Sequence, residues 1–503
     1  MSRKRIRLIT GACIAFCFCA AVLLKMHSMY FNFNRRIDTL INEQNPIISA
    51  NINGQFFEIK LNDPNRVIEL QSLTTEFEIP VVFNFSNQYK IHFDGYEMTS
   101  GDEYGYKVNS IDENTQIHFR ISNTYTGNTM EYTIKTYPGF LPHFTVTGTG
   151  SPIEGDYYIN SFTPSAILKL NNMGDVLYYK YNNGLALSDF KKVETISGQT
   201  RYIYNEQYGT KYTIPNSFYT PVQYVIMDEK YNEIQRISMK KSKTILEDGF
   251  PADSHDLFYL DDAHYYTMSY VGKPVTNIPE NLWNKEHIYS NVIACVIQEI
   301  KDGEVVFEWD STEHPELYEL ASFENDFNNA EKEFCDYAHM NSIEVDPKDG
   351  NLICSFRNLD AIIKIRKEDG KIQWILGGNG DQFGLTEAQK TSKQHYAQLN
   401  ANGSLTVFDN GNANSQSRVV EYWMDEEKKN IDKWGEYKIN GYFSYATGSA
   451  ERLSVEENIF LIGWGLTENK LQPSATEINF DTGEVYFEIR FFDPVQIYRC
   501  TKK

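Results

Sequence analysis

One short unit, a glycine turn followed by an outward-running strand, recurs along the chain and limits what it can fold into. It stands at Asn172–Tyr179 (NMGDVLYY), Lys301–Trp309 (KDGEVVFEW), Lys367–Trp374 (KEDGKIQW) and Asp481–Glu488 (DTGEVYFE), with weaker copies at Asp228–Ile234 and Asp425–Trp434. Glycine tolerates the positive φ such a turn needs, and the β-branched and aromatic residues after it suit a pleated, half-buried surface. Strand-like runs such as Ala166–Leu170, Ala361–Ile365 and Ala475–Phe480 precede the copies. About six copies at irregular intervals favour a β-propeller of four-stranded blades over a solenoid. The competing arrangement, unrelated hairpins in one large sandwich, leaves the shared Gly-x-Val/Ile start unexplained. A last strand near Gln496–Cys500 is expected to pair near Tyr157–Ile159 and close the ring.

Ahead of the repeats the pattern changes. Short runs at Ile48–Ile52, Phe56–Leu61, Val81–Phe85 and Met130–Ile134, between Asn, Asp and Gly clusters, predict a small β-sandwich domain over 46–150. Gly148–Pro152 reads as the joint to a propeller over 151–503. Residues 1–45 differ again. Arg3, Lys4, Arg5 and Arg7 precede an apolar run from Leu8 to Leu24, about 17 residues and the lower limit for a membrane span. No small-residue cleavage pattern follows it. An uncleaved signal anchor with a stalk over 26–45 is therefore expected, the alternative being secretion after cleavage. The basic residues place that end inside and the body outside the membrane.

The formal net charge of −21 argues against nucleic acid as a partner, because phosphate binding needs a basic surface. On so acidic a chain, a site for an anion must reverse the sign locally. The stretch His339–Gly378 offers this, with His339 entering one strand and Arg357 leaving its neighbour on the same rim. His255 before Asp256–Leu260, His339 before Met340–Val345 and His395 before Tyr396–Asn400 each open what is expected to be the innermost strand of a blade. Such positions converge on the mouth of a propeller's central channel. An acidic, partly helical insertion between Asp310 and Tyr337 empties into His339, and a second irregular stretch over 378–394 empties into His395. Any one of these histidines alone is better explained as a hydrogen-bonded rim residue; three at equivalent positions with a strand-end arginine make a candidate site. Cys295, Cys335, Cys354 and Cys500 are spaced for neither a disulfide scaffold nor a zinc knuckle, and buried thiols are expected.

The same residues carry a resemblance. SHDL at Ser254–Leu257, DYAHMNSIEVDPKDG at Asp336–Gly350, SFRN at Ser355–Asn358, WILGG at Trp374–Gly378 and QHYAQLNANGSLTVFDNGN at Gln394–Asn412 resemble, in order, the bacterial aryl-sulfate sulfotransferases. The resemblance implies an all-β chain, a β-sandwich followed by a six-bladed β-propeller, with no cofactor and with homodimers known in the family. It implies transfer of a sulfuryl group from a phenolic sulfate ester to an acceptor phenol without a nucleotide donor. Carried over by motif, His395 becomes the nucleophile of a ping-pong reaction through a sulfohistidine. His255, His339 and Arg357 would then surround the sulfuryl oxygens, and Asn341 and Thr447 would contact substrate. The family's usual Asp-Trp is Asp336-Tyr337 here, which bears on the acceptor pocket, for which Tyr337, Tyr396 and Phe323 are the candidate aromatics. The family's close-spaced disulfide has no counterpart.

The residue chemistry agrees. Sulfuryl transfer, like phosphoryl transfer, spreads negative charge over equatorial oxygens, which an arginine fork can hold. A neutral imidazole can attack in line, and a covalent intermediate splits one transfer into two. Two rivals stand beside this reading. Three imidazoles can make a zinc hydrolase site, although Arg357 in the same pocket disfavours a dication. A non-catalytic surface propeller that binds glycans or proteins is the other.

Overall fold

The computed structural model describes residues 48–503, except 53–54, 60, 62–65, 72–76, 109–115, 138–140, 143, 183, 210–211, 215–216, 218, 285–287, 329–333 and 492–495, together with 23 and 25–29. The apolar run at 8–24 and the stalk at 26–45 therefore lie outside the described residues, save for the helical, exposed positions 23 and 25–29. Among the described residues no helix is long and apolar enough to cross a membrane. Contacts divide the chain into two units, Met1–Phe140 and Leu141–Lys503, and both are built of strands.

The first unit is two sheets. One runs Gln55–Glu58, Ile48–Ile52, Phe77–Phe85, Glu103–Val108, and the other Val67–Gln71, Thr129–Tyr137, Gln116–Asn123, Tyr89–Phe93, Tyr96–Glu97. Period-two alternation turns Ile48, Ala50, Ile52 and Phe83 of the first sheet and Ile91, Phe93, Phe119 and Ile121 of the second into one shared core. This is a sandwich in which His92 and His118 are strand residues.

The second unit is a set of six antiparallel sheets, each of at least four strands and propeller-like in arrangement. In chain order their first strands are Tyr157–Phe162, Leu187–Glu194, Leu257–Asp261, Met340–Val345, His395–Leu399 and Ser449–Arg452. Every copy of the recurrent turn closes a hairpin of one of these sheets, with Gly174, Gly303, Gly370 or Gly483 at positive φ in four of them and Tyr231 or Lys429 in the two weaker copies. The strands that follow these turns are Val176–Tyr181, Glu233–Ile237, Glu304–Asp310, Ile372–Gly377, Asn430–Tyr437 and Glu484–Phe491. All six hairpins also slip register by one residue just before the turn, at Lys169/Leu170, Ile226/Met227, Glu299/Ile300, Lys364/Ile365, Trp423/Met424 and Glu477/Ile478. A bulge that leads into a left-handed turn residue sharpens the strand twist, which explains why glycine recurs there.

The first strands contact one another in sequence from sheet to sheet, Ala252–Asp253 mediating the step from the second sheet to the third. The expected closing pair forms, though by Cys500–Lys502 rather than by the residues just before. Tyr157 pairs with Lys502, Tyr158 with Thr501 and Ile159 with Cys500. Phe144–Thr147 adds a fifth strand to the outside of the sixth sheet. The insertion after Asp310 is partly helical, with turns at Ser311–Glu313 and Glu316–Leu320. Cys295, Cys335, Cys354 and Cys500 are buried.

Candidate functional site

His255, His339 and His395 come from three successive sheets and meet. The ring centres of His255 and His339 lie 5.0 Å apart, edge to face, and those of His255 and His395 lie 6.5 Å apart. Tyr270 packs 5.7 Å from His255 and 5.5 Å from His339, and Tyr498 lies 6.0 Å from His255. All three histidines are buried. Their positions are less equivalent than the sequence predicts. His395 is the first residue of its strand, His339 immediately precedes Met340–Val345 with φ 53°, and His255 stands two residues ahead of Leu257–Asp261.

What distinguishes the three is the partner of Nδ1. His255 Nδ1 lies 2.5 Å from Asp253 Oδ1, and His339 Nδ1 lies 2.6 Å from Asp336 Oδ2. His395 Nδ1 instead lies 2.7 Å from Asn410 Oδ1 and 3.1 Å from the Lys393 carbonyl. The Asn410 amide is oriented by its own Nδ2, which donates to the carbonyls of Ser444 at 2.9 Å and Thr447 at 3.0 Å. Its Oδ1 must therefore accept, so His395 carries its proton on Nδ1 and a lone pair on Nε2. The Thr447 N–H, from a residue with φ 55°, reaches that Nε2 at 3.3 Å. A carboxylate behind an imidazole supports a second proton on Nε2, whereas a neutral amide does not. His255 and His339 are thus equipped to carry protons and His395 to offer a lone pair.

Electrostatics reinforce the division. Burial pushes the His395 pKa well below its ordinary 6.5, and the nearby charge of Arg357 pushes it further. Burial also lowers His339, against the opposing pull of Asp336. Arg357 lies one residue past the strand Leu352–Phe356 and opens a short 3-10 turn, Arg357–Leu359, rather than ending the strand. Its N–H donates to the His339 carbonyl at 2.8 Å, and its Nη1 donates to Asn358 Oδ1 at 2.9 Å. Among the described residues its guanidinium makes no ion pair. Burial lowers its pKa, although a guanidinium stays charged at neutral pH. This is a cation brought to the histidines with capacity left for an anion.

Asn341 is wholly buried. Its Nδ2 donates to the Gln394 carbonyl at 2.8 Å, while its Oδ1 has no protein partner among the described residues. Its carbonyl accepts from Arg499 Nη2 at 2.9 Å. Arg499 is a residue that sequence reasoning missed. It donates to Asp189 at 3.1 Å and Asp256 at 3.0 Å, and Lys191 bridges the same two carboxylates. Burial alone would raise Asp256, but Lys191 and Arg499 hold it down at about 2. Register slips at Ser188/Lys191, Met340/Ser342 and His395/Gln398 fall where Asp189, Asn341 and Tyr396 meet this arginine. Asp253, Asp336 and Asn410 were also missed. The first two were visible as carboxylates two and three residues ahead of a histidine. Of the aromatics expected at the pocket, Tyr337 is fully buried with its hydroxyl on Ser311, and Tyr396 is buried under Arg499. Phe323 stays 42% exposed. Among the described residues no group of three or more His, Cys, Asp or Glu is placed to hold a metal ion.

The model of the arylsulfotransferase (ASST) family matches residues 169–499. The arylsulfate sulfotransferase AssT of Escherichia coli is 31% identical over 196 residues, and that of Lelliottia amnigena is 29% identical over 196. Each match covers 30% of this chain and 32% of the relative, so the chain spans about a third of the length of the curated relatives it matches. A solved protein of unknown function from Dyadobacter fermentans is 12% identical at a TM-score of 0.37, covering 62% of this chain and 85% of that one, which is too remote to inform the site. The family match takes in most of the second unit, including His255, His339, Arg357, His395 and Thr447, and on it the chain belongs to the arylsulfotransferase family.

Proposed function

We propose that this protein is an aryl-sulfate sulfotransferase, a six-bladed β-propeller preceded by a β-sandwich. It moves a sulfuryl group from a phenolic sulfate ester to an acceptor phenol by a ping-pong route through a sulfohistidine at His395. The observation that carries the proposal is the contrast in Nδ1 partners: an amide behind His395 and carboxylates behind His255 and His339.

Arg357 and, once the bound sulfate anion has drawn a second proton onto them, the Nε2–H groups of the two carboxylate-backed histidines hold the sulfuryl oxygens. The His395 Nε2 lone pair attacks sulfur as the S–O bond to the aryl oxygen breaks, and His255 or His339 protonates the departing phenolate. His395 keeps its Nδ1 proton, which Asn410 accepts throughout. The acceptor phenol then returns a proton to the same histidine, its oxygen attacks sulfur, and the N–S bond breaks to restore neutral His395. Asn341 and Thr447 complete the pocket, Thr447 through its N–H. The basic tip and the apolar run at 8–24 support attachment to the membrane with the catalytic body outside, alone or as a homodimer.

Mass spectrometry of protein treated with 4-nitrophenyl sulfate in the absence of phenol tests this directly. A sulfuryl adduct on His395, discharged by added phenol and absent from folded His395→Ala, is expected. An adduct on another residue, or transfer that requires stoichiometric zinc, overturns it.

A further inference from the structure

Phe323 is a large aromatic residue left exposed beside a buried cation. Its ring centre lies 5.9 Å from the Arg357 guanidinium carbon and 5.2 Å from Lys393 Nζ. Cation–π attraction to two charges holds an apolar ring that hydration alone would not favour. The placement is further fixed by its neighbours. The Ser322 N–H donates to the Asn358 carbonyl at 2.8 Å, and Ser322 Oγ lies 2.6 Å from Asp360 Oδ2. Lys393 Nζ donates to that same hydroxyl at 2.8 Å, while the Lys393 N–H donates to Asp360 Oδ1 at 2.7 Å. Lys393 also offers its carbonyl to His395 Nδ1. One residue thus links the insertion, the turn that carries Arg357, and the approach to His395.

We propose that Phe323 is the specificity-determining residue for the aryl group, stacking on the ring of the sulfate ester, and that Lys393 is the positioning residue that sets it. The inference rests on the transferase reading above, and it adds the residue by which that site selects aromatic esters. The geometry fits. Only the ester oxygen separates an aryl ring from its sulfur, and aromatic ring centres pair about 4.5–7 Å apart. An ester whose sulfate lies on Arg357 can therefore place its ring against Phe323, whose remaining exposed surface is free to receive it.

Calorimetric titration of the full chain with benzenesulfonate and with methanesulfonate tests this, since both are unreactive monoanions and only one has a ring. Phe323→Ala is expected to weaken benzenesulfonate about tenfold, the upper range of a stacked pair, and to leave methanesulfonate unchanged. Phe323→Trp keeps the wild-type preference. Lys393→Met raises the KM for 4-nitrophenyl sulfate while leaving kcat at saturation, and Lys393→Arg restores it. Equal weakening of both sulfonates by Phe323→Ala would mean that the ring only orders Arg357, and no change in either would mean that it never meets the aryl group; each overturns the inference. A protein that prefers benzenesulfonate through Phe323 yet transfers nothing to phenol overturns the transferase reading alone.

Discussion

At the scale of single residues, the arrangement turns on the amide of Asn410. Asn410→Ala removes the acceptor that fixes the His395 tautomer, and kcat for transfer from 4-nitrophenyl sulfate is expected to fall about 10–100-fold, the usual cost of losing such a supporting partner. Asn410→Asp is the sharper variant. A carboxylate behind Nδ1 stabilises the imidazolium, so the acid limb of kcat/KM moves to higher pH while the fold persists. In the native protein His395 and His339 both titrate below the ordinary histidine value of 6.5. Below about pH 6.5 the unfolded chain therefore binds protons at these positions that the folded chain does not, and stability falls as pH drops through that window toward the lowered folded values. Thermal melts at pH 7.5 and pH 5.5, on wild type and on His395→Asn, are expected to show a smaller acid-induced drop in the variant. The histidines and Arg357 were legible in the sequence because each follows a loop or leaves a strand. Their partners were less so, because Asn410 lies fifteen residues from His395 and meets it only once Leu405–Asp409 folds back on His395–Leu399.

At the scale of elements, the recurrent hairpin shows what a sequence can and cannot carry. Its glycines mark four of the six turns, because a left-handed turn residue favours glycine, while the other two place Tyr231 and Lys429 at positive φ and read only as weaker copies. The inner-strand bulges that bring Asp189, Asn341 and Tyr396 to Arg499 leave no such signature. Asp189 and Tyr396 adopt φ 48° and 53° without being glycine, and only tertiary contact with Arg499 explains it. The motif WILGG has an equally physical cause. Gly378 has φ 59°, and a Cβ there would lie 2.1 Å from the Leu359 carbonyl, within the turn that Arg357 opens. Gly378→Ala is expected to cost about 2–4 kcal/mol from strain and overpacking together. The same change should raise the KM for the sulfate donor by displacing the arginine, and denaturant melts beside steady-state kinetics will read both. Unchanged kinetics with lowered stability would separate the turn from the site.

At the scale of the whole second unit, closure is the step on which six sheets depend. The sequence pointed to the joining of its two ends, since a strand-like run stands near the C-terminus and another near residue 157. The ion pair that secures the junction was not visible. The Lys502 side chain is 1% exposed and its Nζ lies 2.9 Å from Glu477 Oε2, itself wholly buried, while Tyr157 donates to the same oxygen at 2.6 Å. The Lys502 N–H reaches Glu451 Oε2 at 2.8 Å, so the first sheet is tied to two strands of the sixth. Removing one member of such a pair leaves a charge buried without its partner, at a cost of about 3–5 kcal/mol, whereas removing both is far milder. Lys502→Met should therefore destabilise the protein strongly, and adding Glu477→Gln should recover much of the loss. In the six-bladed ring proposed above, each sheet is flanked by two others only while this junction holds, so opening it there would release all six. A single calorimetric transition for the second unit that shifts as one in Lys502→Met is expected. A new partial transition confined to the first and sixth sheets, followed by hydrogen exchange, would show instead that the sheets stand independently of closure.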